Sequence, residues 1–178
     1  MDLSKIDMNH RKGAYTEGNT TYFPISLHID APAKIVWQVF GKNYGIFLEK
    51  VPRFSKVSFK YAGGKSPAVG DSRFYTILGL AGEERLKLFD EKNYSLAYDI
   101  PVGPPPSMIR NGGNTWSVQE AENGSVFQMK LQGDYTKLGW LMGPLIRRFI
   151  QWPTVEAMSY TVKYESEKMY QDSESMTK

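Results

Sequence analysis

The chain has 178 residues, 41% of them hydrophobic and 23% charged, with a net charge of +3 and no cysteine. That is the size and composition of one globular domain with a real core. The small net charge argues against a nucleic-acid partner, and the missing cysteines exclude disulfides, thiolate nucleophiles and thiolate metal sites, which fits a reducing cytoplasm.

Residues 1–20, MDLSKIDMNHRKGAYTEGNT, are polar and read as a flexible N-terminal segment without the apolar run of an export signal. No stretch approaches the roughly 18 apolar residues of a membrane span. A ligand-binding domain is expected over residues 21–171. Its first strand is Tyr22 to Ile29, with Ile25, Leu27 and Ile29 on one face and Ser26 and His28 on the other. Asp30-Ala31-Pro32 then opens a helix, Asp30 as N-cap, with Ile35, Val36, Val39 and Phe40 on its apolar face and Gly41 at its end. A second short helix, about Tyr44 to Lys50, carries Phe47 and Leu48.

Six strands follow, about Val57–Tyr61, Ser72–Leu78, Glu83–Phe89, Tyr94–Ile100, Asn114–Gln119 and Ser125–Tyr135. Turn signals separate them at Gly63-Gly64, Leu80 to Gly82, Glu91 to Asn93 and Asn123-Gly124, and the three prolines of IPVGPPPSMIRNGG predict a stiff loop. From Leu138 to Tyr170 the period becomes helical, and Pro153 predicts a kink. Residues 172–178 read as a disordered tail. The order predicts an α+β fold: an antiparallel sheet of about seven strands, strongly bent around one long C-terminal helix, with two short helices after the first strand.

Two charges interrupt the apolar faces of this sheet. Alternation places Arg73 with Tyr75 and Ile77, and Glu84 with Leu86 and Leu88. A tight turn near Leu78 and Gly79 sets the two opposite each other on neighbouring strands. A buried ion pair either fixes the strand register or serves a ligand, Glu84 as an acid/base and Arg73 as an oxyanion holder. Tyr98 shares the inward face of its strand with Leu96 and reads either as core or as a third polar group of the site. Two separated histidines, His10 and His28, make no metal site, and no phosphate loop, dinucleotide fingerprint or nucleophile elbow is present, so neither metal nor cofactor is expected.

The segments LHIDAPAKIVWQVF, GDSRFY and EERLKLFDEKNYSLAYDI, with the long final helix, resemble the superfamily of polyketide cyclases/dehydrases and lipid-transfer proteins over residues 22–170. This START-like superfamily shares the helix-grip fold of birch-pollen-type allergens. GDSRFY and EERLKLFD also look like segments of plant lachrymatory-factor synthases, in which the matching arginine and glutamate belong to the active site. The resemblance thus implies a hollow between sheet and helix and a role for Arg73 and Glu84. The N-terminal segment, the triple proline and Pro153 depart from the family pattern.

The expected function is binding or transport of a hydrophobic or aromatic small molecule, lipid or polyketide-like. The cavity is expected to span several hundred Å3, the usual size of ligand sites. Expected lining residues are Phe47, Tyr75, Leu86, Leu88, Tyr98, Trp116, Phe127, Met129, Leu131, Leu145 and Phe149, with an entrance between residues 102–108 and 141–152. One alternative is a cofactor-independent cyclase or dehydratase using Glu84 as acid/base with Arg73 and Tyr98. Another is a protein-interaction regulator. Trp140 to Trp152 is more apolar than one core stripe, and reads as a lid, a homodimer face or a peripheral membrane contact.

Overall fold

The computed structural model describes residues 8–60, 67–103 and 108–176. The Gly63-Gly64 turn and the three prolines lie outside the described residues. One antiparallel sheet contains eight strands: β1 (Tyr15–Glu17), β2 (Thr20–Ile29), β3 (Phe54–Lys60), β4 (Ser72–Ile77), β5 (Leu80–Asp90), β6 (Ser95–Val102), β7 (Ile109–Ala121) and β8 (Gly124–Tyr135). Their spatial order is β1-β2-β8-β7-β6-β5-β4-β3. The sheet wraps around the C-terminal helix α5 (Trp152–Ser175) in a helix-grip arrangement, and no described helix is long and apolar enough to cross a membrane.

Alternation explains the strands. In β2, Phe23, Ile25 and Ile29 turn inward while Ser26 and His28 face solvent. Ten residue pairs join β2 to β8, from Thr20↔Asp134 to Ile29↔Ser125. Val155, Met158 and Val162 carry the buried face of α5, three or four residues apart as a helix face requires. The turn between β4 and β5 is Leu78-Gly79, both with positive φ, which suits a two-residue hairpin.

Several expectations are corrected. Regular structure precedes Tyr22 among the described residues, with a 3-10 turn at Met8–Gly13 and the short strand β1. Helix α1 (Ala33–Trp37) takes Pro32, not Asp30, as its N-cap; the Ala33 N–H donates to Glu120 Oε1 on β7 at 3.1 Å. The chain does not stop at Gly41 but passes through a π turn (Gln38–Lys42), where the Trp37 ring lies over Gly41; a Cβ there would sit 2.5 Å from it. The second short helix divides into α2 (Tyr44–Phe47) and a 3-10 turn.

The long final helix is not continuous from residue 138. It is divided into α3 (Lys137–Leu141), α4 (Gly143–Ile146), a π turn (Arg147–Gln151) and α5, which runs on to Ser175. Pro153 lies in the first turn of α5, where a missing N–H is tolerated. The irregular turn precedes it. The carbonyl of Phe149, four residues before Pro153, accepts instead from Arg53 Nη2 at 2.8 Å.

Candidate functional site

Strand pairing builds the site as a row across the concave face of the sheet. Arg73 on β4 pairs with Glu84 on β5, Tyr98 on β6 pairs with Asn114 on β7, and Asn114 pairs with Leu131 on β8. Arg73 is 0% exposed and Glu84 2%. Both Nε, at 2.9 Å, and Nη2 of Arg73 donate to Glu84 Oε2. The guanidinium also lies 4.5 Å from the centre of the Tyr98 ring, a cation–π contact in a desolvated setting. Arg73 is therefore committed on two sides. Among the described residues only Oε2 of Glu84 is bonded, and Glu84 lines a cavity.

That cavity lies between the sheet and the start of α5 and has a volume of about 60 Å3. Phe54, Tyr75, Ile77, Ile100, Leu131 and Met158 supply most of its apolar wall. Its polar wall is Glu84, Asn114, Gln132, Gln151 and Thr154. Gln151 Oε1 accepts from the Tyr135 hydroxyl, whose pKa burial raises, and Thr154 Oγ1 donates to the Ile150 carbonyl at 2.6 Å. Asn114 differs. It is 1% exposed, and neither its amide nitrogen nor its amide oxygen has a hydrogen-bond partner among the described residues. A buried amide left in this state costs about 1–3 kcal/mol unless something enters to meet it.

Of the residues expected from sequence, Glu84, Tyr75 and Leu131 are in the wall, and Arg73 and Tyr98 stand directly behind Glu84. Phe47, Leu86, Trp116, Phe127 and Met129 are buried in the core rather than lining this cavity; the Trp116 ring touches Phe47, Phe127 and Tyr98 at 5.5–5.8 Å. Leu88, Leu145 and Phe149 point to solvent, at 48%, 50% and 56% exposure, and none of the three is in the wall of this inner cavity. For Leu88 the reason is a β-bulge: the register with β6 shifts between Leu86 and Leu88, which turns Leu88 out and Phe89 in against Trp37.

Sequence reasoning missed Asn114, Gln132, Gln151 and Thr154. Asn114 was within reach, because it stands two positions from Trp116 and so shares its inward face. The cavity is also smaller than the several hundred Å3 expected. A larger concavity of about 690 Å3 crosses the outer face, where Leu88, Trp116 and Met129 of the expected lining meet Ser26, Thr115, Ser117 and Lys130, with no buried charge. The buried polar groups converge on the inner cavity, and that is the candidate site.

The profile of a family described as polyketide cyclase / dehydrase and lipid transport matches residues 23–159. No curated protein matches by sequence. Among solved structures, a point mutant of norcoclaurine synthase from Thalictrum flavum, in complex with a transition-state analogue, superposes with a TM-score of 0.67 at 15% identity, covering 87% of this chain and 99% of that one. The same enzyme in complex with dopamine and hydroxybenzaldehyde gives 0.60 at 17% identity, covering 91% and 95%. Major latex-like protein 151 of Panax ginseng gives 0.59 at 13% identity, covering 86% and 99%. At such identities the likeness establishes the fold alone.

Proposed function

This chain belongs to the polyketide cyclase / dehydrase and lipid transport family, and from that premise we propose that it binds a small, largely apolar, uncharged molecule in the inner cavity. The unmet amide of Asn114 carries this reading. A bound hydroxyl or carbonyl gives that amide its hydrogen bonds, and the surrounding apolar wall excludes water from them. Glu84 sets the charge preference. Arg73 is held against Oε2 and is absent from the cavity wall, so an anionic ligand would meet a carboxylate rather than a cation. A neutral ligand that donates to Glu84 Oε1 and exchanges hydrogen bonds with Asn114 fits both groups. The cavity's volume of about 60 Å3 means that a ligand of ordinary size must widen it. A lipid or polyketide-like cargo, carried rather than converted, is the reading we favour.

The test begins with native mass spectrometry of the purified protein, to weigh a co-purified molecule. It continues with a matched pair of probes, hydroxybenzaldehyde and hydroxybenzoate, titrated by calorimetry. The neutral aldehyde should bind and the carboxylate should not, and Asn114→Leu should remove the difference by abolishing binding. Preference for the carboxylate would overturn the assignment of Glu84 and Asn114 as the polar end of the site.

A second reading rests on the asymmetry of Glu84. Oε2 is fixed by Arg73 while Oε1 has no bond among the described residues, and Glu84 lines the cavity; a carboxylate so held can serve as the positioned proton acceptor that a cofactor-independent cyclase or dehydratase requires. Under that reading Glu84→Gln keeps ligand binding and loses turnover of a hydroxy-carbonyl substrate. Under the carrier reading no product forms with either protein.

A further inference from the structure

We propose that the surface formed by residues 136–151 docks this protein onto an anionic lipid membrane. The segment presents five large apolar side chains to solvent, Leu138, Trp140, Leu141, Leu145 and Phe149, each between 44% and 78% exposed. Leu138 and Leu141 stand on α3, Leu145 on α4 and Phe149 in the π turn, so each piece of the broken segment contributes to the apolar surface. A patch of this kind on a folded surface marks an interaction site.

Charge selects the partner. The same segment contains Lys137, Arg147 and Arg148 and no carboxylate. Arg53 is tied to its edge through the Phe149 carbonyl. The Arg148 guanidinium lies 5.6 Å from the centre of the Phe149 ring, so cation and apolar group sit side by side. This matches the boundary of a bilayer, where apolar side chains enter the acyl region and cations meet phosphate headgroups. A second copy of the chain would bring the same cations together, and an uncharged apolar groove would leave them without counter-charge.

The location adds a consequence. Phe149 faces outward, while the next two residues, Ile150 and Gln151, line the inner cavity. Docking through this face therefore holds the cavity end of the molecule against the bilayer. The docking itself does not depend on what the cavity binds, and the following experiment reads membrane binding alone.

The full chain is floated with vesicles of phosphatidylcholine, and with vesicles in which about one third of the lipid is phosphatidylglycerol. Binding should be strong to the anionic vesicles and weak to the neutral ones. Lys137→Gln and Arg148→Gln should each weaken it about fivefold, the factor expected for one basic residue near an anionic surface. Leu141→Asp with Leu145→Asp should abolish it with little change in the melting temperature, because Leu141 is 78% and Leu145 50% exposed. Trp140 gives an independent readout in the unaltered protein. Trp37, Trp116 and Trp152 are buried and Trp140 is 44% exposed, so a blue shift of emission on adding anionic vesicles reports its insertion and should vanish in Trp140→Phe. Equal binding to both vesicle types, or no binding and no shift, overturns the proposal. So does a dimer in sedimentation velocity that Leu141→Asp with Leu145→Asp disperses, which would assign the face to a second copy of the chain.

Discussion

Asn114 holds an amide that folding has taken out of water without replacing its hydrogen bonds. Replacing it with leucine, close to it in size, removes that burden. Asn114→Leu should therefore raise the free energy of unfolding by about 1–3 kcal/mol while weakening a neutral cavity ligand more than tenfold. Urea unfolding and calorimetric titration read the two effects on one protein, and a loss of stability would mean that the amide is already satisfied. Arg73 and Glu84 make a second residue-scale test. Glu84→Leu alone leaves an arginine of 0% exposure without its carboxylate, and should cost about 3–5 kcal/mol. Arg73→Met together with Glu84→Leu should recover most of that loss, because an apolar pair of similar volume does as well as a buried ion pair. If the double change costs as much as the single one, the pair is not the unit that holds the two strands.

At the scale of elements, the break before α5 rests on three residues. Pro153 has no N–H to give the Phe149 carbonyl, and Arg53 supplies the donor instead at 2.8 Å. Arg53→Met should cost about 1–2 kcal/mol in the parent protein. Against Pro153→Ala, which restores a backbone donor, the same change should cost less. A double-mutant cycle by thermal unfolding measures the coupling, and strict additivity would show that Arg53 and Pro153 act separately. The break also marks the limit of what sequence could convey. The alternation of Ile25, Leu27 and Ile29, and the facing positions of Arg73 and Glu84, were legible because strand geometry has a period of two with little freedom. The inversion at Leu88 and Phe89 was not, since a β-bulge adds one residue without a composition signal of its own. Nor was the π turn at Arg147–Gln151, whose apolar residues keep a near-helical spacing through the irregularity. In sequence Asn114 is one polar residue at a strand start; its isolation appears only when the neighbouring strands are in place.

The whole molecule is held at its N-terminal side by a contact that crosses nearly the length of the chain. Arg11 Nε and Nη2 donate to the two carboxylate oxygens of Glu156 at 2.6 and 2.7 Å, and His10 Nε2 lies 2.9 Å from Oε1. Glu156 is 5% exposed on α5, and its hydrogen bond raises the pKa of the Arg11 guanidinium. Removing residues 1–14 should lower stability by about 1.5–3 kcal/mol, the range for hydrogen bonds to a charged group. Glu156→Leu in the shortened chain should restore part of it. Unchanged unfolding of the shortened chain would reduce the clamp to a surface contact. The pairing of β2 with β8 acts over a similar distance, with Thr20 bonded to Asp134 across 114 positions. It also dictates an order in time. The strands from β4 to β8 each find their partner a few residues away across a turn, apart from the longer connection between β6 and β7, whereas β2 must wait for the last strand to be made. Long-range pairing of this kind is slow because the loop must close before any contact rewards it. As the chain leaves the ribosome, the edge of β2 therefore stays unpaired until β8 has emerged, and Phe23 stays uncovered until Trp152 of α5 follows it. A chain stalled before Gly124 would hold an apolar strand paired only at its first three residues, with β1, the form in which this protein is most exposed to chaperones and to aggregation.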